Sequence, residues 1–142
     1  MKIEVKQLEG STFVGQGDSN HWTIMDADEE HDGADGATRP MELLLIGLGG
    51  CTGIDVNTLL NKMRVDYDDI KMDIFADRAE DHPKVFTEIR LRYKIFGSDL
   101  PEKKIAKAVR LTQERYCSAT HSLKNPAEIT YDYEIVEPEG AS

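Results

Sequence analysis

The 142-residue sequence predicts an α+β fold, on three observations. An apolar stretch of helical pattern runs from Pro40 to about Met63. Two long stretches of strict apolar/polar alternation follow it around a Pro-containing turn, and a segment after Ser98 carries apolar residues at three and four spacing. Period-two and period-3.6 segments are thus grouped rather than interleaved as βαβ units, which is the pattern of an α+β layout. The whole chain is expected to form a single domain, residues 1–142.

The first 25 residues read as short strands, Lys2 to Leu8, Ser11 to Gln16 and His21 to Met25, divided by Gly10 and by Gly17-Asp18-Ser19-Asn20. Gly and Asn supply turn conformations, so these should form an antiparallel meander, with Trp22 as a core anchor. Residues 26–40 read DADEEHDGADGATRP, and six of the first ten are acidic. This is a loop. A calcium site is disfavoured because His31 falls where an EF-hand requires glycine.

Pro40 suits a first helical turn. The helix that follows should be mostly buried, since Leu44, Leu48, Cys51, Asp55 and Leu59 lie near one stripe and apolar residues occupy other faces too. Ile70, Met72, Ile74 and Ala76 then alternate with polar residues. After Asp81-His82-Pro83, Val85 to Ile95 does the same, so the pair reads as a hairpin whose Arg90, Arg92 and Lys94 form a wet face. Ser98-Asp99-Leu100-Pro101 opens a second helix, with Ile105, Ala108, Val109 and Thr112 on one side, ending near Cys117. A last strand is expected over Glu128 to Val136. Ile129, Tyr131, Tyr133 and Ile135 share its core face.

The formal charge of −10 and the scattered Lys and Arg oppose a nucleic-acid partner, which needs clustered cations. No apolar run reaches the roughly 18 residues of a bilayer span, and the start MKIEVKQLEG lacks a signal's apolar core. No membrane association and a cytoplasmic location are therefore expected. In that compartment two cysteines are better read as free or reactive thiols than as a structural bridge.

Gly47, Gly49, Gly50 and Gly53 surround Cys51 inside the apolar helix, although each glycine costs about 1 kcal/mol against alanine there. Missing side chains let a second backbone or a narrow substrate approach. Gly49 and Gly53 form a small-xxx-small pair that suits a second copy of the helix. Cys51 lies beyond the first turn, where a helix dipole would lower its pKa, and Asp55 follows on its own face. A cation to stabilise the thiolate must come from Arg39, Arg115 or His121. From the residues alone, Cys51 is either a small core residue or a nucleophile.

The run Arg39-Pro40-Met41-Glu42-Leu43-Leu44-Leu45-Ile46-Gly47-Leu48-Gly49-Gly50-Cys51-Thr52-Gly53, followed by Tyr116-Cys117-Ser118-Ala119-Thr120-His121-Ser122-Leu123, resembles the OsmC/Ohr family over nearly the whole chain. The resemblance implies an intertwined homodimer with two sites at its interface. It also implies a thiol peroxidase that turns organic hydroperoxides into alcohols. Cys51 would be the peroxidatic cysteine, Cys117 would resolve it, a dithiol would reduce the disulfide, and no metal or other cofactor would be needed. Two positions depart from the family. Its peroxidases carry an arginine in the N-terminal strands and loop, whereas the first arginine here is Arg39; they also carry a glutamate directly after the helix-entry proline, where this chain has Met41 and then Glu42. The alternative is a redox sensor or small-ligand binding dimer on the same fold.

Overall fold

The computed structural model describes residues 1–138. Strands β1 (Glu4–Glu9), β2 (Thr12–Gln16) and β3 (Thr23–Met25) form the expected antiparallel meander, with Lys6 opposite Val14 and Val14 opposite Ile24. The acidic loop is organised by one buried carboxylate. Asp26 accepts from Thr12 Oγ1 at 3.1 Å and from the backbone N–H groups of Ala27, Ala34 and Gly36 at 2.8, 3.2 and 3.0 Å. Asp28 caps the short turn Glu29–His31 and bonds the ring of His31.

Helix α1 (Pro40–Lys62) begins with Pro40 in its first turn, and Glu42 Oε2 accepts from Arg39 N at 3.3 Å. At its far end Lys104 Nζ donates to Met63 O at 3.0 Å, satisfying a carbonyl the helix leaves open. Strands β4 (Asp69–Arg78) and β5 (Phe86–Phe96) pair antiparallel from Asp69–Phe96 to Arg78–Phe86. Asp73 and Lys94 form an ion pair across this hairpin. Helix α2 (Glu102–Leu111) continues into a wider π turn, Thr112–Tyr116; the chain then straightens at Cys117 and starts α3 (Ser118–Lys124). That break and third helix are additional to the expected layout.

Val56, Leu60, Val65 and Ala108 form the buried core, closed by Met63, Ile70, Tyr93, Ile95, Ile105 and Val109. Helix α1 packs on α2, α3, the π turn and β4, whereas β1, β2 and β3 contact chiefly one another.

Five expectations need correction. The buried stripe of α1 is Leu48, Thr52, Val56 and Leu60, not the one through Cys51 and Asp55. The helix is not mostly buried: Leu44, Ile46 and Ile54 are more than half exposed. It is also apolar enough to pass as a bilayer span by length and composition. Its uniform hydrophobicity explains all of these, because a helix apolar on every side carries no phase that would mark its inner face.

Trp22 is the fourth correction. It precedes β3, stays 47% exposed, and holds Lys6 Nζ 4.9 Å from its ring centroid. The fifth is the closing strand. Residues 126–138 pair with nothing among the described residues, and Ile129, Tyr131, Tyr133 and Ile135 all stand in solvent. Alternation encodes the capacity to cover a sheet, but a strand needs a neighbouring edge, and among the described residues this segment joins none.

Candidate active site

One turn of helix separates Cys51 from Asp55, so α1 presents both side chains on the same face. The π turn brings Cys117 to them from the other side. Cys117 N donates to Thr112 O at 2.8 Å, and its sulfur caps α3 by accepting from Thr120 N at 3.4 Å. The two sulfurs and an Asp55 oxygen lie within 4.8 Å of one another. Both cysteines are free; Cys117 is fully buried and Cys51 partly so.

The two segments are joined by side chains that the sequence reading passed over. Gln113, in the π turn, donates through Nε2 to Thr52 Oγ1 at 2.8 Å and to Tyr93 Oη at 2.5 Å. Its Oε1 accepts from Thr120 Oγ1 at 3.0 Å. Thr52 and Tyr93 hydroxyls are themselves 2.5 Å apart. One amide therefore ties the neighbour of Cys51 to the residue whose N–H reaches Cys117. The signal was Thr52, a polar residue in phase with Leu48, Val56 and Leu60. A hydroxyl on a buried stripe requires a partner.

Beside this network lies a cavity of about 610 Å³ walled by Leu48, Leu91, Tyr93, Val109, Gln113 and Leu123. Neither cysteine is among its lining residues, whereas Tyr93, Gln113 and Thr120 of the network are.

The electrostatics oppose the thiolate. The Ala119 N–H favours it at Cys51, but burial, the Cys117 sulfur and the Asp55 carboxylate together outweigh that bond and push the Cys51 thiol up. No countercharge answers Asp55. Its Oδ2 is buried without a hydrogen-bond partner, and it forms no ion pair among the described residues. His121 Nε2 and Thr112 Oγ1 are the other such buried polar atoms among the described residues. All three belong to the immediate surroundings of the cysteines in sequence or hydrogen bonding: Asp55 and His121 each follow a cysteine by four, and Thr112 O receives the Cys117 amide.

The remaining candidates have other partners. Arg39 pairs with Asp35 and donates to Ala37 O at 3.2 Å. Glu42 caps the entry of α1, and the Arg115 guanidinium lies 5.6 Å from the Tyr116 ring centroid. The structure thus brings Cys51, Cys117 and Asp55 together, sets His121 on the helix that Cys117 caps, and occupies Arg39, Glu42 and Arg115 elsewhere.

Around Cys51 the glycines are used unevenly. A Cβ at Gly49 would lie 3.0 Å from Ile74 Cδ1 and one at Gly53 3.9 Å from Met72 Cε, so within the chain this pair faces β4. At Gly47 and Gly50 a Cβ would meet nothing within 4 Å.

A family model described as OsmC-like protein matches residues 32–132. Protein YhfA of Escherichia coli strain K12 is 39% identical over 136 residues, covering 96% of this chain and 98% of that protein. A hypothetical protein of Aquifex aeolicus VF5 has a crystal structure that superposes with a TM-score of 0.75 at 32% identity, covering 87% of this chain and 86% of its own. The crystal structure of an organic hydroperoxide resistance protein OsmC from Legionella pneumophila superposes with a TM-score of 0.61 at 17% identity, covering 88% and 90%, a likeness of fold.

Proposed function

The chain belongs to the OsmC-like protein family, and from that premise we propose that it is a thiol peroxidase acting on organic hydroperoxides through Cys51 and Cys117. The observation that carries this reading is the approach of the two sulfurs within 4.8 Å, from segments 66 residues apart in the sequence. The partly exposed Cys51 thiolate attacks the distal oxygen of the hydroperoxide; the O–O bond breaks and, with one proton, the alcohol leaves. Cys51 is now a sulfenic acid. The Cys117 sulfur displaces its oxygen as water, forming the disulfide, and an external dithiol returns both thiols by exchange. The same reading takes a homodimer as the working form. It is supported by the open space at Gly47 and Gly50, the exposed Leu44, Ile46 and Ile54, and the unpaired alternating segment Glu128 to Val136.

The test is rapid thiol counting with one equivalent of cumene hydroperoxide. Wild-type protein should lose both thiols, Cys117→Ser should hold a sulfenic acid at Cys51 that dimedone traps, and Cys51→Ser should not react. A Cys51 that survives a modest excess of peroxide eliminates the proposal.

A second reading has its own observation. The raised Cys51 thiol and the engagement of Arg39 with Asp35 favour a redox sensor or small-ligand binding dimer, in which Cys51 rests protonated. This form would consume peroxide only slowly and without turnover by dithiols, which the same thiol count separates from the first reading.

A further inference from the structure

We propose that Cys51, Cys117 and Asp55 form a three-ligand site for a zinc-like divalent cation. Two sulfurs and one carboxylate oxygen within 4.8 Å of one another are a donor set of the kind that zinc selects. Around a tetrahedral zinc ion with Zn–S of about 2.3 Å and Zn–O of about 2.1 Å, such donors stand about 3.6–3.8 Å apart. Closing on the ion therefore asks for a contraction of roughly 1 Å at most.

The second observation is the state of the carboxylate. Asp55 Oδ2 is buried and accepts no hydrogen bond, and no cation pairs with it among the described residues. Buried carboxylates are otherwise paired or hydrogen-bonded, and this one stands beside two thiols. A divalent cation would offset two of the three negative charges that the carboxylate and the two thiolates bring. The surroundings fit a loaded site: Cys117 Sγ already accepts the Thr120 N–H, and Gln113 fixes both cysteine-bearing segments through Thr52 and Thr120. Binding displaces the two thiol protons and leaves each sulfur in its reduced state. The proposal does not rest on the peroxidase reading, which requires no metal.

The experiment uses the full reduced chain under argon, titrated with Co²⁺ as a coloured stand-in and then with Zn²⁺. Expected are one Co²⁺ per chain, tetrahedral ligand-field bands, and a thiolate-to-cobalt charge-transfer band that zinc abolishes by displacement. Cys51→Ser and Cys117→Ser should each remove about half of that band, and Asp55→Asn should weaken binding about tenfold or more. Glu30→Gln, in the acidic loop, should leave the titration unchanged. The proposal is overturned if the wild-type chain gives no charge-transfer band, if Asp55→Asn binds as tightly as wild type, or if Glu30→Gln removes the signal. Because no peroxide is present, failure here leaves the peroxidase reading standing, and failure of that reading leaves the metal titration unaffected.

Discussion

Two shielded aspartates of this chain sit in opposite circumstances. Asp26, 3% exposed at the root of the acidic loop, is met by a threonine hydroxyl and three backbone N–H groups. Asp55, one turn beyond Cys51, keeps a buried oxygen with no donor. The first carboxylate is fully answered by its own fold, and it holds a loop. The second is left unanswered beside two thiols, which is where a chain places a group that acts on something other than itself.

The largest expected effect breaks the comparison at Asp26. Asp26→Ala strips the anchor from three backbone N–H groups, and the melting temperature followed by circular dichroism should fall by roughly 5–10 °C. The Gly36 N–H, joined by the Ala27, Thr12 and Ala34 donors, holds the Asp26 carboxyl below the usual carboxylate value despite its burial. A carboxyl depressed in the folded state stabilises above the unfolded value of about 3.9 and loses that contribution as pH falls through the folded value. Wild-type protein should therefore lose stability below about pH 4, and Asp26→Asn should show a flatter acid limb.

Next in size is the link between the two cysteine segments. Gln113→Ala removes the amide that Thr52, Tyr93 and Thr120 share, and urea unfolding should show a loss of about 1–3 kcal/mol. Far smaller is the expected stability effect of Asp55→Asn, within about 1 kcal/mol, because no folded-state bond to Oδ2 is lost. Its readout is the thiol. Cys51 is pushed up, hence protonated at neutral pH, so its alkylation by iodoacetamide should be slow at pH 7 and rise with pH to a midpoint above the ordinary thiol range. Removing the Asp55 charge should move that midpoint down and speed alkylation at pH 7 severalfold. An unchanged profile would make the two aspartates alike after all.

The smallest effect tests whether the site's missing partner comes from a second copy. Gly50→Ala meets open space within the chain and replaces a mid-helix glycine, so a lone chain should gain about 0.5–1 kcal/mol. If copies pack there, the variant should instead shift the sedimentation profile toward monomer.

Much of this fold was legible because its signals are local. Pro40 marks the start of α1, the alternation of Ile70 to Ile95 marks the hairpin, and Ile105, Ala108 and Val109 mark the inner side of α2. What failed was non-local. The alternation of Ile129, Tyr131, Tyr133 and Ile135 announces a strand but not the edge it would join. The inner stripe of α1 lies one residue, about 100°, from the expected one, since apolar side chains all round leave that angle undetermined. Within the site, the cysteines were visible as residue types, and their convergence was implied by the family resemblance alone. The Gln113 network was hidden because threonine, tyrosine and glutamine on separate elements share no spacing.

The acidic loop has a practical corollary. Its geometry depends on Asp26 and on the cap at Asp28, while Glu29 and Glu30 point outward with no ion-pair partner among the described residues. Those two positions form a surface an engineer can recharge at will. Glu29→Gln with Glu30→Gln would take the formal charge from −10 to −8, retuning elution from an anion exchanger while the anchored backbone stays as it is.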